Sequence, residues 1–312
     1  MQKESKPHSA RCGNIIFSIM DERSPSYIIN RYKLGKFANS FLNLDPYEAF
    51  FLMSKDKIEP ENPMFRDPAN FISHLQFPEL FLLVFPAYDW FKKMGVQVKV
   101  EGKYIMFRKN TDVEYSPPYM VIREDDSISW RELLDMGNIS FLVIDDEMDL
   151  TAFSMEELEP AGKHELPTAE PYKGRSDSFQ IVSDENFPPW MGAKIGRWTY
   201  LNRFERSFIA GTELSDLSIE QRVYNDLARR GFIIRTGFKY GANFRIYSGE
   251  LEDHADFLVH VFPEEEQWYK ISRAVRVAHA VRKKMIFAGE SQGKIAYRKI
   301  ERVRDPLSAS PS

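Results

Sequence analysis

Residues 243–262, NFRIYSGELEDHADFLVHVF, contain two runs of aromatic and β-branched residues separated by a short polar connection. Such runs favour neighbouring β-strands, and a short connection brings the end of one strand beside the start of the next. Tyr247 and His254 occupy those two positions. The pattern therefore predicts that their side chains meet at one edge of a sheet. An ordinary strand tyrosine and an ordinary loop histidine would give the same pattern, so the stretch alone leaves both interpretations open.

The next segment, ISRAVRVAHAVRKKM (271–285), has the apolar spacing of a helix. Its apolar stripe consists of Ile271, Ala274, Val275, Ala278 and Val281. Because the strand-like MIFA follows directly, Lys283 is expected at the corner between the helix and the strand. The segment KIAYRKI (294–300) alternates as a strand, which places Arg298 and Lys299 on opposite faces. A solvated basic helix surface is the simpler alternative.

Several motifs of this half recur, in the same order, from an earlier part of the chain. Tyr88 and Gly95 correspond to Tyr224 and Gly231, and both pairs are 136 residues apart (224 − 88 and 231 − 95). Likewise FLVIDDEMDLTAF (141–153) resembles MIFAGESQGKIAY (285–297). Repeats in one order indicate one supersecondary design used twice.

The repeats set the expected organisation of the chain. A stretch rich in Pro, Glu and Ser lies between them and is typical of a linker. We therefore expect a first repeat at residues 1–155, a linker at 156–195 and a second repeat at 196–312. The mixed order of helices and strands predicts an α+β fold. Each repeat would be a small N-terminal α/β subdomain followed by a mixed-sheet subdomain.

Composition narrows the class of protein further. The 312 residues include one cysteine, Cys12, which excludes an intramolecular disulfide and a Cys-based zinc site. No apolar stretch approaches the ~20 residues that span a bilayer, and the N-terminal residues do not resemble a signal peptide. A cytoplasmic, reducing compartment without membrane partners is the simplest expectation.

Charge is divided unevenly although the net charge is only −4. Residues 111–160 carry 14 Asp and Glu against two Lys and Arg, whereas residues 270–304 carry 11 Lys and Arg against two Glu. The basic block is expected to bind an acidic partner or a nucleic acid, or the acidic block. Two ordinary solvated faces would also account for it.

Three separated motifs, GFKYGANFRIY (237–247), HADFLVH (254–260) and ISRAVRVAHAVRKKMIFA (271–288), resemble the archaeal tRNA-splicing endonuclease family in content and order. The doubled design is similar to its homodimeric members, whose chain fuses a degenerate half to a catalytic, nuclease-like half. The resemblance is densest over residues 224–300.

The resemblance implies a catalytic triad of Tyr247, His254 and Lys283. The connection between Tyr247 and His254 is shorter than in many members of the family. The family also places two arginines around the lysine to clamp a bulged base, and these fall on Arg276 and Arg298. Counting from Lys284 instead would put them on a valine and a lysine, so Lys283 fits better. A planar guanidinium can stack on a base, whereas an ammonium cannot.

The chemistry implied needs neither a metal nor a cofactor, because RNA supplies its own 2′-hydroxyl nucleophile. Tyr247 would be the general base, His254 the general acid and Lys283 the stabiliser of the phosphorane charge. Products would carry a 2′,3′-cyclic phosphate and a 5′-hydroxyl. The implied substrate is precursor tRNA with a bulge-helix-bulge at the intron boundaries. The alternative is a non-catalytic RNA-binding or structural subunit of a splicing assembly.

The first half lacks the triad, since Phe107, Ser116 and Ile139 occupy the corresponding places. It has an acidic turn instead, formed by Asp145, Asp146, Glu147 and Asp149. The family uses such a loop to bind a basic pocket of the second protomer, which implies a homodimer. A solvated turn and the metal site of a metal-dependent nuclease are the alternatives.

Overall fold

The structure is a computed structural model that describes residues 9–20, 25–38, 41–165, 180–182, 190–210, 217–249 and 254–308. These residues form helices and mixed sheets, so the predicted α+β class is confirmed. They divide into two compact units. The described residues of the first unit come from 1–123, 144–150 and 307–312, and those of the second unit from 124–143 and 151–306. No helix in the described ranges is long and apolar enough to cross a bilayer.

The first unit contains a five-stranded sheet, further antiparallel strands and four helices. Its strands are β1 (Ser9–Cys12), β2 (Ile15–Ile19), β3 (Lys36–Ala38), β4 (Phe41–Asn43), β5 (Ile58–Pro60), β6 (Gln97–Glu101), β7 (Tyr104–Arg108) and β8 (Tyr119–Arg123). Its helices are α1 (Pro25–Tyr32), α2 (Pro46–Met53), α3 (Pro68–Ser73) and α4 (Pro78–Lys93). The five-stranded sheet has the order β3-β4-β1-β2-β5, and β7 pairs with β6 and β8. Helix α2 begins at a reciprocal capping box of Asp45 and Glu48.

Lys92, near the end of α4, is buried in this unit. Its ammonium donates hydrogen bonds to the carbonyl oxygens of Tyr32 (2.8 Å) and Val96 (3.2 Å). Burial disfavours the charged form and lowers the pKa of Lys92 to about 8. The lysine thus links α1 to the turn after α4, at the cost of a desolvated charge.

The second unit contains the remaining elements. Its strands are β9 (Ser127–Ser129), β10 (Ile139–Ile144), β11 (Leu150–Glu157), β12 (Gln180–Val182), β13 (Ala193–Ile195), β14 (Trp198–Leu201), β15 (Ile233–Thr236), β16 (Phe244–Tyr247), β17 (Phe257–Val261), β18 (Glu265–Gln267), β19 (Lys284–Ser291) and β20 (Lys294–Val303). Its helices are α5 (Trp130–Asp135), α6 (Arg203–Ala210), α7 (Ile219–Arg229) and α8 (Trp268–Ala280).

The main sheet of this unit has the strand order β15-β16-β17-β19-β20-β11-β10. Strands β17 and β19 are parallel, so both begin at the same edge, whereas β16 and β20 run antiparallel to them and end there. Side chains alternate between the two faces. One face packs on α7 through a core that includes Tyr224, Val259 and Ile286. The opposite face carries α8, and its stripe residues Ile271, Val275 and Ala278 are buried as expected.

The same order of elements occurs twice, as the repeated motifs predict. The series α4, β6, β7, β8, β9, α5, β10, β11 is followed by α7, β15, β16, β17, β18, α8, β19, β20. Strands β9 and β18 pair antiparallel. The amide of Trp130 donates to Glu264 O (3.1 Å), and that of Trp268 donates to Asp126 O (3.0 Å). Residues 124–143 of the first repeat therefore belong to the same unit as the second repeat.

The expected linker contains regular structure. Strands β12 and β13 lie within residues 156–195 and pair with β14, giving the order β12-β14-β13. Strands of three residues are too short to display an alternating pattern, which is why composition alone suggested a linker. The compact units divide the chain at other positions, so they do not test the repeat boundaries at 155 and 196. These boundaries stay predictions.

Candidate active site

Tyr247 and His254 lie where the sequence predicted, at the end of β16 and just before β17. The two strands are antiparallel, with Ile246 opposite Phe257. Tyr247 is buried with Ile233 and Ala255 in a small apolar cluster, whereas His254 is exposed. Residues 250–253 of the connection lie outside the described residues. The edge thus carries one buried phenol and one accessible imidazole.

Lys283 joins this edge from the corner between α8 and β19. The helix ends at Ala280, and Arg282 adopts a left-handed conformation (φ 57°) that turns the chain into the strand. The ammonium of Lys283 then donates a hydrogen bond of 3.0 Å to the carbonyl oxygen of Ala255. Since Ala255 follows His254 directly, the structure brings the lysine beside the backbone that carries the histidine.

Asp256 ties the three strand ends together, although no pattern in the sequence singles it out. Its amide donates to Ile246 O (3.1 Å), and its carbonyl accepts from the amide of Lys284 (3.1 Å). Its carboxylate accepts a hydrogen bond of 2.8 Å from the amide of Ser248. Asp256 therefore bonds to the residues next to Tyr247 and Lys283, and it lies two residues after His254 in the chain. The only available signal was a carboxylate at the start of a strand.

A further cation lies near the phenol of Tyr247. Arg245 is two residues earlier on β16, and its guanidinium carbon is 5.8 Å from the centroid of the tyrosine ring. Its Nε is buried and has no hydrogen-bond partner among the described residues. A guanidinium at this distance makes a cation–π contact with the ring. Arg245 was missed because basic residues on strands are common.

The two arginines expected to clamp a base have different surroundings. Arg276 is exposed on α8. Arg298 is buried (5% exposed), and its guanidinium donates to Leu134 O (3.1 Å) and Tyr297 O (3.2 Å). It also lies 3.5 Å from a carboxylate oxygen of Glu157. In this conformation neither face of the Arg298 guanidinium is open to a base.

The pairing of β19 and β20 explains why Arg298 is distant from Lys283 along the strands. Arg298 is opposite Phe287, four residues beyond Lys283 (287 − 283). Four residues of strand span roughly 13 Å. Ile300 is opposite Met285, so the end of β20, rather than Arg298, lies level with the lysine. The structure therefore does not bring Arg298 and Lys283 together within one chain.

The acidic turn connects β10 to β11 and is organised by Asp145. One Asp145 carboxylate oxygen accepts from the amides of Glu147 (3.1 Å) and Asp149 (2.9 Å). Met148 has a positive φ (62°) and is 54% exposed. The side chains of Asp146, Glu147 and Asp149 are exposed. Asp145 thus shapes the turn, and the other three acids form its charged surface.

Residues 158–164, hereafter the strap, extend from β20 to the residues that follow Tyr247. The amide of Leu158 donates to Tyr297 O (3.3 Å), and that of Lys163 to Ser248 O (3.2 Å). His164 Nε2 lies 2.7 Å from Gly249 O, and the His164 amide donates to Gly231 O (3.0 Å). Part of the expected linker therefore supports the chain next to Tyr247.

The strap depends on a close approach of two glycines. A Cβ atom on Gly162 would lie 1.9 Å from the carbonyl oxygen of Gly231. Backbone atoms cannot yield as a side-chain tip can, so only glycine fits at position 162. The amide of Gly162 also donates to Arg230 O (2.8 Å).

Comparison with known proteins finds a family model that matches part of the second half of the chain. The family model described as tRNA intron endonuclease, catalytic C-terminal domain, matches residues 218–297. These residues run from the start of α7 into β20 and include Tyr247, His254 and Lys283.

Two relatives match almost the whole chain. It is 37% identical over 299 residues to the tRNA-splicing endonuclease of Thermoplasma volcanium, covering 94% of this chain and 97% of that protein. It is 31% identical over 298 residues to the tRNA-splicing endonuclease of Picrophilus torridus, covering 93% of this chain and 95% of that protein. The tRNA-splicing endonuclease of Thermococcus onnurineus is 37% identical over 105 residues, which are 32% of this chain and 61% of that protein.

Proposed function

The chain belongs to the tRNA-splicing endonuclease family, and from this premise we propose that it removes introns from precursor tRNA without using a metal ion. The observation that carries the proposal is the hydrogen bond from Lys283 to Ala255, because it holds a cation beside His254 at the edge where β16 ends with Tyr247. A base, an acid and a cation on adjacent strand ends are what phosphodiester cleavage by a 2′-hydroxyl requires.

In the proposed reaction Tyr247 takes the proton of the 2′-hydroxyl next to the scissile phosphate. The 2′-oxygen forms a bond to phosphorus, and the bond from phosphorus to the 5′-oxygen breaks. His254 gives its proton to the departing 5′-oxygen, and the ammonium of Lys283 stabilises the negative charge on the phosphorane oxygens. The products are a 2′,3′-cyclic phosphate and a 5′-hydroxyl, as expected of a lyase.

Arg245 supports the placement of Tyr247 at this edge. Its guanidinium carbon lies 5.8 Å from the centroid of the tyrosine ring, a cation–π contact within one strand. In the proposal this contact helps to hold the ring in position for the reaction.

The proposed substrate contains a bulge-helix-bulge, and the proposed enzyme is a homodimer. Two copies of the catalytic half, related by a two-fold axis, would present two active sites to two bulges. The acidic turn is the proposed contact to the basic surface of the second protomer. Its exposed acids, Glu147 and Asp149, support this assignment.

The two proposed RNA-binding arginines have different roles. The exposure of Arg276 favours stacking on an unpaired base, whereas the burial of Arg298 favours a supporting role.

The proposal is tested by incubating the protein with a precursor tRNA that contains a bulge-helix-bulge, in excess chelator. We expect cleavage at both bulges, with products that carry a cyclic phosphate and a 5′-hydroxyl. Loss of cleavage on adding the chelator, restored by a divalent metal, would refute the metal-independent mechanism. Binding without any cleavage would instead indicate a non-catalytic subunit.

A further inference from the structure

The second unit contains a basic cleft of about 480 Å³ between the end of α8, the start of β19 and the end of β20. Its basic side chains are His279, Arg282, Lys283, Lys284, Arg302 and Arg304. The single acidic residue of the lining, Glu301, forms an ion pair of 2.7 Å with Lys299, which lies outside the lining. The cleft therefore presents a large excess of positive charge.

This charge is not neutralised within the described part of the chain. The side chains of Arg282, Lys284 and Arg302 make no hydrogen bond or ion pair with another described residue. The guanidinium of Arg304 donates to His279 Nε2 (3.0 Å) and has no carboxylate partner among the described residues. Cations brought together without a carboxylate repel one another, and an anion between them would remove that repulsion.

The position of the cleft indicates which anion it would bind. Strands β17 and β19 start at the edge that carries His254 and Lys283, and β20 ends at the same edge with Arg302. Neighbouring strands are about 4.8 Å apart, so β20 lies roughly 10 Å from β17 along this edge. Lys283 lines the cleft and also bonds to Ala255, so it joins the cleft to the candidate active site.

We propose that the basic cleft binds a backbone phosphate of the substrate RNA that flanks the scissile phosphodiester, an inference that builds on the proposed function. A strand whose scissile phosphate lies beside Lys283 would extend along the sheet edge, and its next phosphates would enter the cleft. Arg302 and Lys284 provide the contacts, with Arg282 at the rim. The cleft could instead hold an acidic segment of a second copy of the chain. RNA is favoured as the occupant because the cleft lies on the same edge of the sheet as His254 and Lys283.

The test is the salt dependence of binding to a precursor tRNA whose two scissile positions carry 2′-deoxynucleotides, so that it is bound but not cut. Each phosphate contact contributes about 0.7–0.9 to the slope of log K against log salt concentration. We expect Arg302→Gln to reduce the magnitude of this slope by about 0.7–0.9, the contribution of one phosphate contact. Arg302→Lys should keep the slope of the native protein. The matched control is Lys294→Gln, at the opposite end of β20, which should also leave it unchanged.

Two results would overturn the inference. In the first, Arg302→Gln has the same slope as the native protein. In the second, Arg302→Gln dissociates a dimer seen for the native protein by sedimentation, which would assign the cleft to a second copy. Failure of the proposed function is distinguishable, because the native protein would then not cut the unmodified precursor.

Discussion

The ammonium of Lys283 lies 3.0 Å from the carbonyl oxygen of Ala255, the residue that follows His254. This bond joins two segments that are 28 residues apart in the chain. It uses one of the three donors of the ammonium and leaves two for a phosphate oxygen. Lys284, the next residue, is exposed and its side chain has no partner among the described residues. Adjacent lysines are therefore in different surroundings, which allows their roles to be separated.

The first prediction concerns the catalytic residues. Tyr247→Phe, His254→Ala and Lys283→Ala should each slow cleavage of the bulged precursor by about 10²–10⁴-fold, the usual contribution of a general acid or base. Single-turnover rates, measured with enzyme in excess, report the chemical step. Binding of the uncut precursor should change little. Lys294→Ala, at the opposite end of β20, is the control. Lys284→Ala should weaken binding through the basic cleft but leave the chemical step intact. If Lys284→Ala is the variant that loses the chemical step and Lys283→Ala is not, the catalytic lysine has been assigned one residue too early.

The second prediction separates the two arginines. Arg298→Ala should lower the free energy of unfolding by about 1–3 kcal/mol, because it removes a buried side chain whose guanidinium bonds to Leu134 O and Tyr297 O. Arg276→Ala is an exposed change and should alter stability by less than about 0.5 kcal/mol while slowing cleavage. Denaturant unfolding and cleavage rates are measured on both and on the double variant. Equal stability of all proteins, with non-additive losses of cleavage, would favour a clamp formed by both arginines.

The third prediction concerns the acidic turn. Asp146→Asn, Glu147→Gln and Asp149→Asn together remove charge from its surface, and Asp145→Asn can be added because an amide oxygen still accepts the bonds that shape the turn. Self-association should weaken, most visibly at low protein concentration, and cleavage should decrease with it. Raised salt should have a similar, smaller effect on the native protein. Sedimentation over a dilution series measures this. A variant that stays dimeric throughout and cuts both bulges normally would show that the turn is only a solvated loop.

The fourth prediction concerns the strap. Gly162→Ala introduces a methyl group 1.9 Å from the Gly231 carbonyl oxygen, so the strap must shift away. We expect a loss of about 1–3 kcal/mol in unfolding free energy. Cleavage should also slow, since Lys163 and His164 bond to Ser248 and Gly249 beside Tyr247. Ala161→Ser, an exposed change in the same segment, is the control for both measurements. Unchanged stability and activity in Gly162→Ala would mean that the strap contributes nothing to the site.

The fifth prediction concerns the pH dependence of stability. The pKa of Lys92 is about 8 in the folded protein, below its value of 10.5 in the unfolded chain. Below pH 8 both states hold the proton, and above it the folded state releases its proton first. The contribution of Lys92 to the free energy of unfolding should therefore rise by roughly 2–3 kcal/mol between pH 8 and 10. Cys12 acts in the opposite direction, because burial raises its pKa from 9.0 to about 12. The contribution of Lys92 is therefore the difference between the native protein and Lys92→Met.

This contribution is measured by denaturant unfolding of the native protein and of Lys92→Met at several pH values. The native protein should gain stability relative to Lys92→Met over that window. Lys93→Met removes a neighbouring lysine that is exposed and paired with Asp89, and its profile should follow that of the native protein. A difference between the native protein and Lys92→Met that does not change between pH 8 and 10 would mean that Lys92 is more hydrated than its contacts suggest.

Local patterns were sufficient to predict the strands at 244–247 and 257–261, the helix that contributes Ile271 and Val275, and the corner at Lys283. Each of these depends on periodicity or on a connection a few residues long. The sequence could not indicate that Arg298 is buried, because that depends on Leu134 and Glu157, which are distant in the chain. Fifteen residues separate Lys283 from Arg298 in the sequence, but the hairpin between them reverses direction, so the count does not measure distance.

Asp256 and the strap were missed for a related reason. Both act through backbone groups, which every residue possesses and which leave no compositional signal. The contact of Gly162 with Gly231 joins a proline-rich segment to the end of a helix. Only the folded chain shows that these glycines meet.

The placement of residues 124–143 within the second unit has a consequence for dividing the gene. A chain cut between Glu165 and Gln180 would give two polypeptides, and the one with Tyr247, His254 and Lys283 would lack α5. Gly289 on β19 is fitted to the indole of Trp130, since a Cβ there would lie 2.6 Å from the ring. Arg298 would also lose Leu134 O. Each product alone should be inactive, while co-expression should restore cleavage by complementation. An organism that encoded the halves separately would need to produce both in matched amounts.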